Sequence, residues 1–148
     1  MRVSKIKLLP VVLLASLNQI SSAFSQQVVL TNYTYHLGSF PQCVAAGDVN
    51  GDGSRDLIGA NTLDGTLTIL TNNGSGVFGT NATVPAGPGF LFCVAAADVN
   101  GDGKLDLIGA NQAPKTLVVL TNNGSGGFGS NATVFLGSSP NWVVAADL

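Results

Sequence analysis

Between residues 42 and 86 the chain is built from short apolar runs, each closed by a cluster of Gly, Asn, Asp or Ser. The runs are QCVAAGDV (42–49), DLIGANT (56–62), TLTILTN (66–72) and TNATVPA (80–86), and NGDGSR, LDG and NGSGVFG separate them. Runs of this length bounded by turn residues predict strands joined by tight connections. Outside the N-terminal segment no useful stretch has a 3.6-residue amphipathic period, so the pattern predicts an all-β chain.

The same pattern returns 50 residues later, where CVAAADVNGDGKLDLIGAN and TLVVLTNNGSGGFGSNATV answer CVAAGDVNGDGSRDLIGAN and TLTILTNNGSGVFGTNATV. A further copy begins as VVAADL at 143–148, with Asp147 in the place of Asp48 and Asp98, and NYT (32–34) stands where NAT stands later. The expected division is a partial repeat at 26–42 that supplies an outer strand, complete repeats at 43–92 and 93–142, and the start of a truncated third at 143–148. Four-stranded units recurring every ~40–50 residues are the arithmetic of β-propeller blades. Opening on a fourth strand suits a ring closed by pairing that strand with the last blade, which removes an open edge. A stack of β-hairpins or a β-helix is the alternative.

Residues 1–25 read differently from the rest. Arg2, Lys5, Lys7 and the terminal amine precede the apolar LLPVVLLASL, and small residues follow through SSAFS. This is the layout of a secretory signal, with cleavage expected after Ala23 or Ser25. The apolar stretch falls short of the ~20 residues that cross a bilayer, so no membrane insertion is expected once it is removed. The expected location is extracellular, at the cell surface or in a periplasm.

Removing the signal changes the charge. Arg55, Lys104 and Lys115 remain against eight Asp, a net charge of −5. No basic face is left for nucleic acid or for an anionic membrane. The acids are also clustered: there is no Glu, and six of the eight Asp fall in the two copies of DVNGDGxxDLIGAN.

Within those copies the pattern is D-x-N-x-D-G-x-x-D. Side chains at positions 1, 3, 5 and 9 of a tight loop converge, a Gly at 6 permits the turn, and a carbonyl at 7 completes a set of hard oxygens suited to Ca²⁺. One candidate site is Asp48, Asn50, Asp52, Ser54 (carbonyl) and Asp56; the other is Asp98, Asn100, Asp102, Lys104 (carbonyl) and Asp106. Without a cation, three carboxylates so close should leave the loop strained or partly protonated. No Cys or His joins the cluster, which argues against soft metals. A plain Asn/Asp/Gly turn is the non-binding alternative. An EF-hand or dockerin loop is rejected, because position 12 is Gly59 or Gly109 within strand-like sequence.

Cys43 and Cys93 hold equivalent places in successive repeats, and that spacing predicts two buried thiols too far apart to bridge. Asn32, Asn73, Asn81, Asn123 and Asn131 begin N-x-S/T acceptors, which recur because the turns recur. His36 is the single histidine and falls where the outer strand is expected.

GDVNGDGSRDLIGAN followed by LTNNGSGVFG resembles the FG-GAP/VCBS-type repeat of integrin-α-like propellers. Phe78-Gly79 and Phe128-Gly129 match the FG element, and Gly59-Ala60-Asn61 and Gly109-Ala110-Asn111 stand where GAP is usual, with Asn for Pro. The resemblance covers residues 28–148. It implies β-propeller blades, about seven to a ring, with Ca²⁺ in the loops between first and second strands and with adhesion or recognition roles. The remaining blades are then expected to be required partners.

The loops divide by face. NGDG and NNGSG are nearly invariant between copies, whereas NTLDG against NQAPK, and SFPQ, GPGFLF and SSPNW, vary and carry Phe40, Phe90, Phe92 and Trp142. Invariant loops suit structural metal; variable aromatic loops suit a partner surface or fill gaps between blades. With one His, no Glu and no Ser/His/Asp constellation, a binding or adhesion module for an extracellular protein or glycan is expected rather than a catalyst. The alternatives are an accessory propeller of a larger exported enzyme and a lectin-like carbohydrate binder.

Overall fold

The computed structural model describes residues 33–146, so the expected export signal, the start of the leading partial repeat and Asp147 lie outside the described residues. Eight strands form two four-stranded antiparallel sheets of identical design. The first comprises β1 (Pro41–Gly47), β2 (Asp56–Asn61), β3 (Thr66–Asn72) and β4 (Phe78–Pro85), in that order. The second comprises β5 (Leu91–Ala97), β6 (Asp106–Asn111), β7 (Thr116–Asn122) and β8 (Phe128–Phe135). Within each sheet every strand neighbours its predecessor in sequence, as short turn-rich connections require. No helix occurs among the described residues.

Two boundaries differ from the sequence expectation. Phe78-Gly79 and Phe128-Gly129 open β4 and β8 rather than belonging to the linkers, because Asn72 pairs with Phe78 and Asn122 with Phe128 across the ladder. Register is not uniform along that ladder: it shifts between Ile69 and Leu70 and between Val119 and Leu120, so each fourth strand carries a bulge. Residues 33–40, including His36, form no strand, and neither do residues 136–146.

The sheets stack front to back. Ile58 pairs with Ile69 and Ala60 with Leu67, which places all four on one face of the first sheet, and all four are wholly buried. In the second sheet the equivalents of Ile58 and Ile69, namely Ile108 and Val119, are only half-buried. There the opposite face is covered instead: Leu107 pairs with Leu120 and Gly109 with Val118, and Leu107, Leu120 and Val118 join the same core as Ile58, Leu67 and Ile69. One repeat therefore lays its front on the back of the next, as successive propeller blades do. Full burial of a Leu or Ile is worth about 1.5–3 kcal/mol, so this shared layer is the main link between the sheets.

Antiparallel pairing sends the β1–β2 and β3–β4 loops to one end of each sheet and the β2–β3 loop to the other. At the first end Asn122 Nδ2 donates to the carbonyl of Val49 at 2.7 Å, a bond from one repeat to the other. At the second end the Leu91 amide donates to the Thr62 carbonyl at 3.3 Å and Ala86 donates to Gly65 at 2.9 Å.

Stacking overturns the expectation for the cysteines. β1 packs against β5, and because the repeats are in step the equivalent residues Cys43 and Cys93 lie side by side, with their Sγ atoms 2.6 Å apart.

Candidate metal centre

The β1–β2 and β5–β6 connections fold alike. Gly53 and Gly103 sit at φ +84° and +82°, the left-handed conformation expected at position 6 of each loop. That turn wraps the backbone around the first aspartate. Asp48 Oδ1 accepts from the amides of Gly51 (2.7 Å) and Asp52 (3.1 Å), and Oδ2 accepts from Gly53 (2.7 Å). Asp98 does the same with Gly101 (2.8 Å), Asp102 (3.2 Å) and Gly103 (2.8 Å).

The other members take defined places. Asn50 Oδ1 accepts from the Asp52 amide at 3.0 Å, while its Nδ2 donates to Asp52 Oδ2 at 2.9 Å. Asp52 Oδ1 accepts from the Ser54 amide at 2.7 Å. Asn100, Asp102 and Lys104 repeat these bonds, and the Lys104 ammonium also stands 3.6 Å from Asp102 Oδ2. Asp56 and Asp106 are wholly buried. Asp56 accepts from the Val49 amide (Oδ2, 3.0 Å) and the Asn72 amide (Oδ1, 2.9 Å), so it ties the loop to the end of β3. Asp106 ties Val99 and Asn122 in the same way.

These amides change the expected electrostatics. The Asn50 side-chain amide, followed by the Ser54 N–H, holds the Asp52 carboxyl below the usual aspartate range. The Gly103 N–H does most of the same for Asp98. At Asp52 and Asp98 a stabilised carboxylate replaces the partly protonated one that the acid spacing suggested, because N–H groups aligned by the turn solvate the charge. Hydrogen bonds thus join Asp48, Asn50, Asp52 and Ser54 within the first loop and Asp98, Asn100, Asp102 and Lys104 within the second, whereas Asp56 and Asp106 turn to partners outside those sets. Among the described residues, however, no three acidic, His or Cys side chains converge closely enough to share an ion.

Asn72 and Asn122 were not singled out by the acid pattern, yet they complete the site. Asn72 Nδ2 donates to the Arg55 carbonyl (3.1 Å), and its Oδ1 accepts from Gly74 (3.0 Å) and Gly76 (3.1 Å). They hold the β3–β4 and β7–β8 turns against the acidic loops. The signal was present in the sequence as the repeated NNGSG, where the first Asn precedes two glycines.

An FG-GAP-like repeat model matches residues 48–109 and again 98–148, each match starting on the first aspartate of a loop. The chain belongs to the FG-GAP-like repeat family. Among curated proteins none matches it.

The elements that characterise the FG-GAP repeat have visible work here. The Phe78 amide donates to the Tyr35 hydroxyl at 2.9 Å, and the two rings meet edge to face with centroids 5.5 Å apart. Gly59 lies beneath Leu37, whose Cδ1 would stand 2.7 Å from any added Cβ. Asn61 Oδ1 accepts from the Gly38 amide (2.9 Å), and its Nδ2 donates to the hydroxyls of Thr66 (3.0 Å) and Thr68 (2.9 Å). The second copy departs from this. Pro88 stands for Gly38 and offers no N–H, and Val118 stands for Thr68. Asn111 donates instead to the Pro88 carbonyl at 2.8 Å, and its Oδ1 is buried without a partner among the described residues.

Proposed function

We propose that this FG-GAP-like chain is an exported, calcium-stabilised propeller segment that binds an extracellular protein or glycan. The observation that carries the reading is the contrast between the two ends of the sheets. One end bears two nearly identical acidic loops buttressed by Asn72 and Asn122. The other bears loops that differ between repeats and leave Leu63, Phe40 and Phe90 exposed, with Trp142 exposed beyond β8. Conserving geometry at one end while varying apolar side chains at the other is what a scaffold with a recognition face requires.

Calcium is the cation that the donor set fits. Asp48, Asn50, Asp52 and Asp56 with the Ser54 carbonyl, and Asp98, Asn100, Asp102 and Asp106 with the Lys104 carbonyl, present oxygen only. Each carboxylate oxygen that accepts one N–H keeps further lone-pair capacity for a metal. The ion would cross-link loop positions that are now joined mainly through backbone amides, with one Asn–Asp side-chain bond in each loop. Export accounts for the residue 1–25 pattern and supplies millimolar calcium. Catalysis forms no part of the proposal.

Two measurements test it. With Kd ~0.1 mM and ~1 mM Ca²⁺, each site should add about 1.4 kcal/mol by mass action, seen as a higher Tm that chelation reverses. An unchanged Tm for the folded chain with and without chelator removes the calcium claim. For recognition, the purified chain is screened on glycan and cell-surface protein arrays. Trp142→Ala and Phe40→Ala should abolish a signal that Asp52→Ala leaves in place at saturating protein. Binding that ignores both aromatic variants would place recognition elsewhere.

A further inference from the structure

Cys43 and Cys93 are the chain's two cysteines, and the fold delivers both to one point. They occupy matching positions on β1 and β5, each next to a register shift in its strand, between Pro41 and Cys43 and between Leu91 and Cys93. Their Sγ atoms lie 2.6 Å apart, inside ordinary non-bonded contact and within a small side-chain adjustment of the ~2.05 Å of a bond. Val94 frames the pair: its amide donates to Cys43 Sγ at 3.4 Å, and its carbonyl faces both thiols, at 3.7 Å from Cys43 and 3.8 Å from Cys93.

We propose that Cys43 and Cys93 form a disulfide that ties the first strand of one repeat to the first strand of the next. The bond closes a loop that runs from Cys43 in β1 through β2, β3 and β4 to Cys93 in β5. It needs neither calcium nor a binding partner, and so stands apart from the function proposed above.

The oxidant is a disulfide compound, such as oxidised glutathione or a protein dithiol carrier in its disulfide form. One cysteine thiolate attacks a sulfur of the oxidant and expels one of its thiolates, leaving a mixed disulfide. The second cysteine thiolate then attacks the protein sulfur of that mixed disulfide, forming the Cys43–Cys93 bond and expelling the other half. Two electrons pass from the protein thiols to the oxidant, which leaves as two thiols carrying the two protons. Cys43 is half-buried and Cys93 almost wholly buried, so Cys43 is the first to exchange and Cys93 resolves.

Burial sets the kinetics. Desolvation, with the neighbouring Cys93 thiol second, pushes Cys43 up to about 11. Thiolate is therefore scarce at neutral pH once the sheets have stacked, and the bond forms fastest while they are still apart. Below that pKa the thiolate fraction rises about tenfold per pH unit, so reoxidation of folded, reduced protein should keep accelerating to about pH 10. An ordinary thiol levels off near ~8.5.

The test uses the full chain, refolded with oxidised glutathione, then denatured, alkylated and weighed. The expected product is monomeric, takes up no alkyl group and is lighter than the reduced chain by two hydrogens. Reduction should lower its Tm by about 10 °C. Cys93→Ser should make Tm insensitive to reductant, and so should Cys43→Ser. Two alkylated thiols after full equilibration with the oxidant would overturn the proposal. So would a stable glutathione adduct on Cys43 or a disulfide-linked dimer.

Discussion

At the scale of single residues, the acids of the two loops have divided duties that composition alone cannot separate. Asp56 is wholly buried and satisfies the amides of Val49 and Asn72. Asp52 is exposed and holds only its own loop. Asp56→Ala should therefore cost about 2–4 kcal/mol in urea unfolding even in metal-stripped buffer, because it strands one buried and one half-buried N–H group. Asp52→Ala should cost little there and lose mainly the calcium-dependent gain. Equal losses in metal-free buffer would mean that Asp56 is not the clamp. Charge at the exposed positions has its own signature. Asp52 and Asp98 have folded pKa values below the ordinary one, so their contribution is complete above the unfolded value and disappears as pH falls through the folded value. The metal-free Tm should hold near neutral pH and decline below about pH 4, and Asp98→Asn should flatten part of that decline. The loop residues could be read from sequence because D-x-N-x-D-G repeats twice. The amides that stabilise the carboxylates could not, since they appear only once Gly53 and Gly103 turn the backbone inward.

At the scale of elements, comparing the two copies isolates what a turn demands. The β2–β3 turn places Gly65 at φ +61°, and the β6–β7 turn places Lys115 at φ +60° in the equivalent position. The turn geometry is thus kept while the residue suited to it is not. A side chain in this region costs about 1–2 kcal/mol. Lys115→Gly should stabilise the chain by up to ~1 kcal/mol in urea melts. Gly65→Ala should destabilise it by more, because its Cβ would also stand 2.7 Å from the Gly87 carbonyl oxygen. If Lys115→Gly is neutral or harmful, the second turn is not strained. The element plan was largely legible: the four apolar runs of each complete repeat became strands and the expected loops fell at the expected ends, whereas the outer strand expected within 26–42 does not form over residues 33–40. Phe78-Gly79 was misplaced because NGSGVFG reads as unbroken turn chemistry, whereas pairing of Asn72 with Phe78 and the Tyr35 hydroxyl on the Phe78 amide extend the strand. Cross-strand bonds of that kind outweigh the local preference of a glycine.

At the scale of the whole molecule, stacking decides which face of each repeat is worth most, and no repeat-by-repeat reading of the sequence contains that. Leu57-Ile58 and Leu107-Ile108 are the same dipeptide in the same place. In the first sheet Ile58 is wholly buried and Leu57 half-buried; in the second Leu107 is wholly buried and Ile108 half-buried. The inversion follows from one contact, the front of the first sheet lying on the back of the second, with Ile58 and Ile69 in one core with Leu107 and Leu120. The same contact brings Cys43 to Cys93, which spacing along the chain could not show. Truncation costs should therefore cross over. Ile58→Ala and Leu107→Ala should each lose about 2–5 kcal/mol, while Leu57→Ala and Ile108→Ala should lose less than half as much. Each variant is measured by urea unfolding at fixed calcium and with the thiols in one redox state, so that neither ion nor disulfide contributes to the difference. The same ranking of Leu and Ile in both repeats would mean that each sheet buries its own preferred face and that the repeats do not stack front to back. A crossover would show that the stability of each repeat resides in its neighbour.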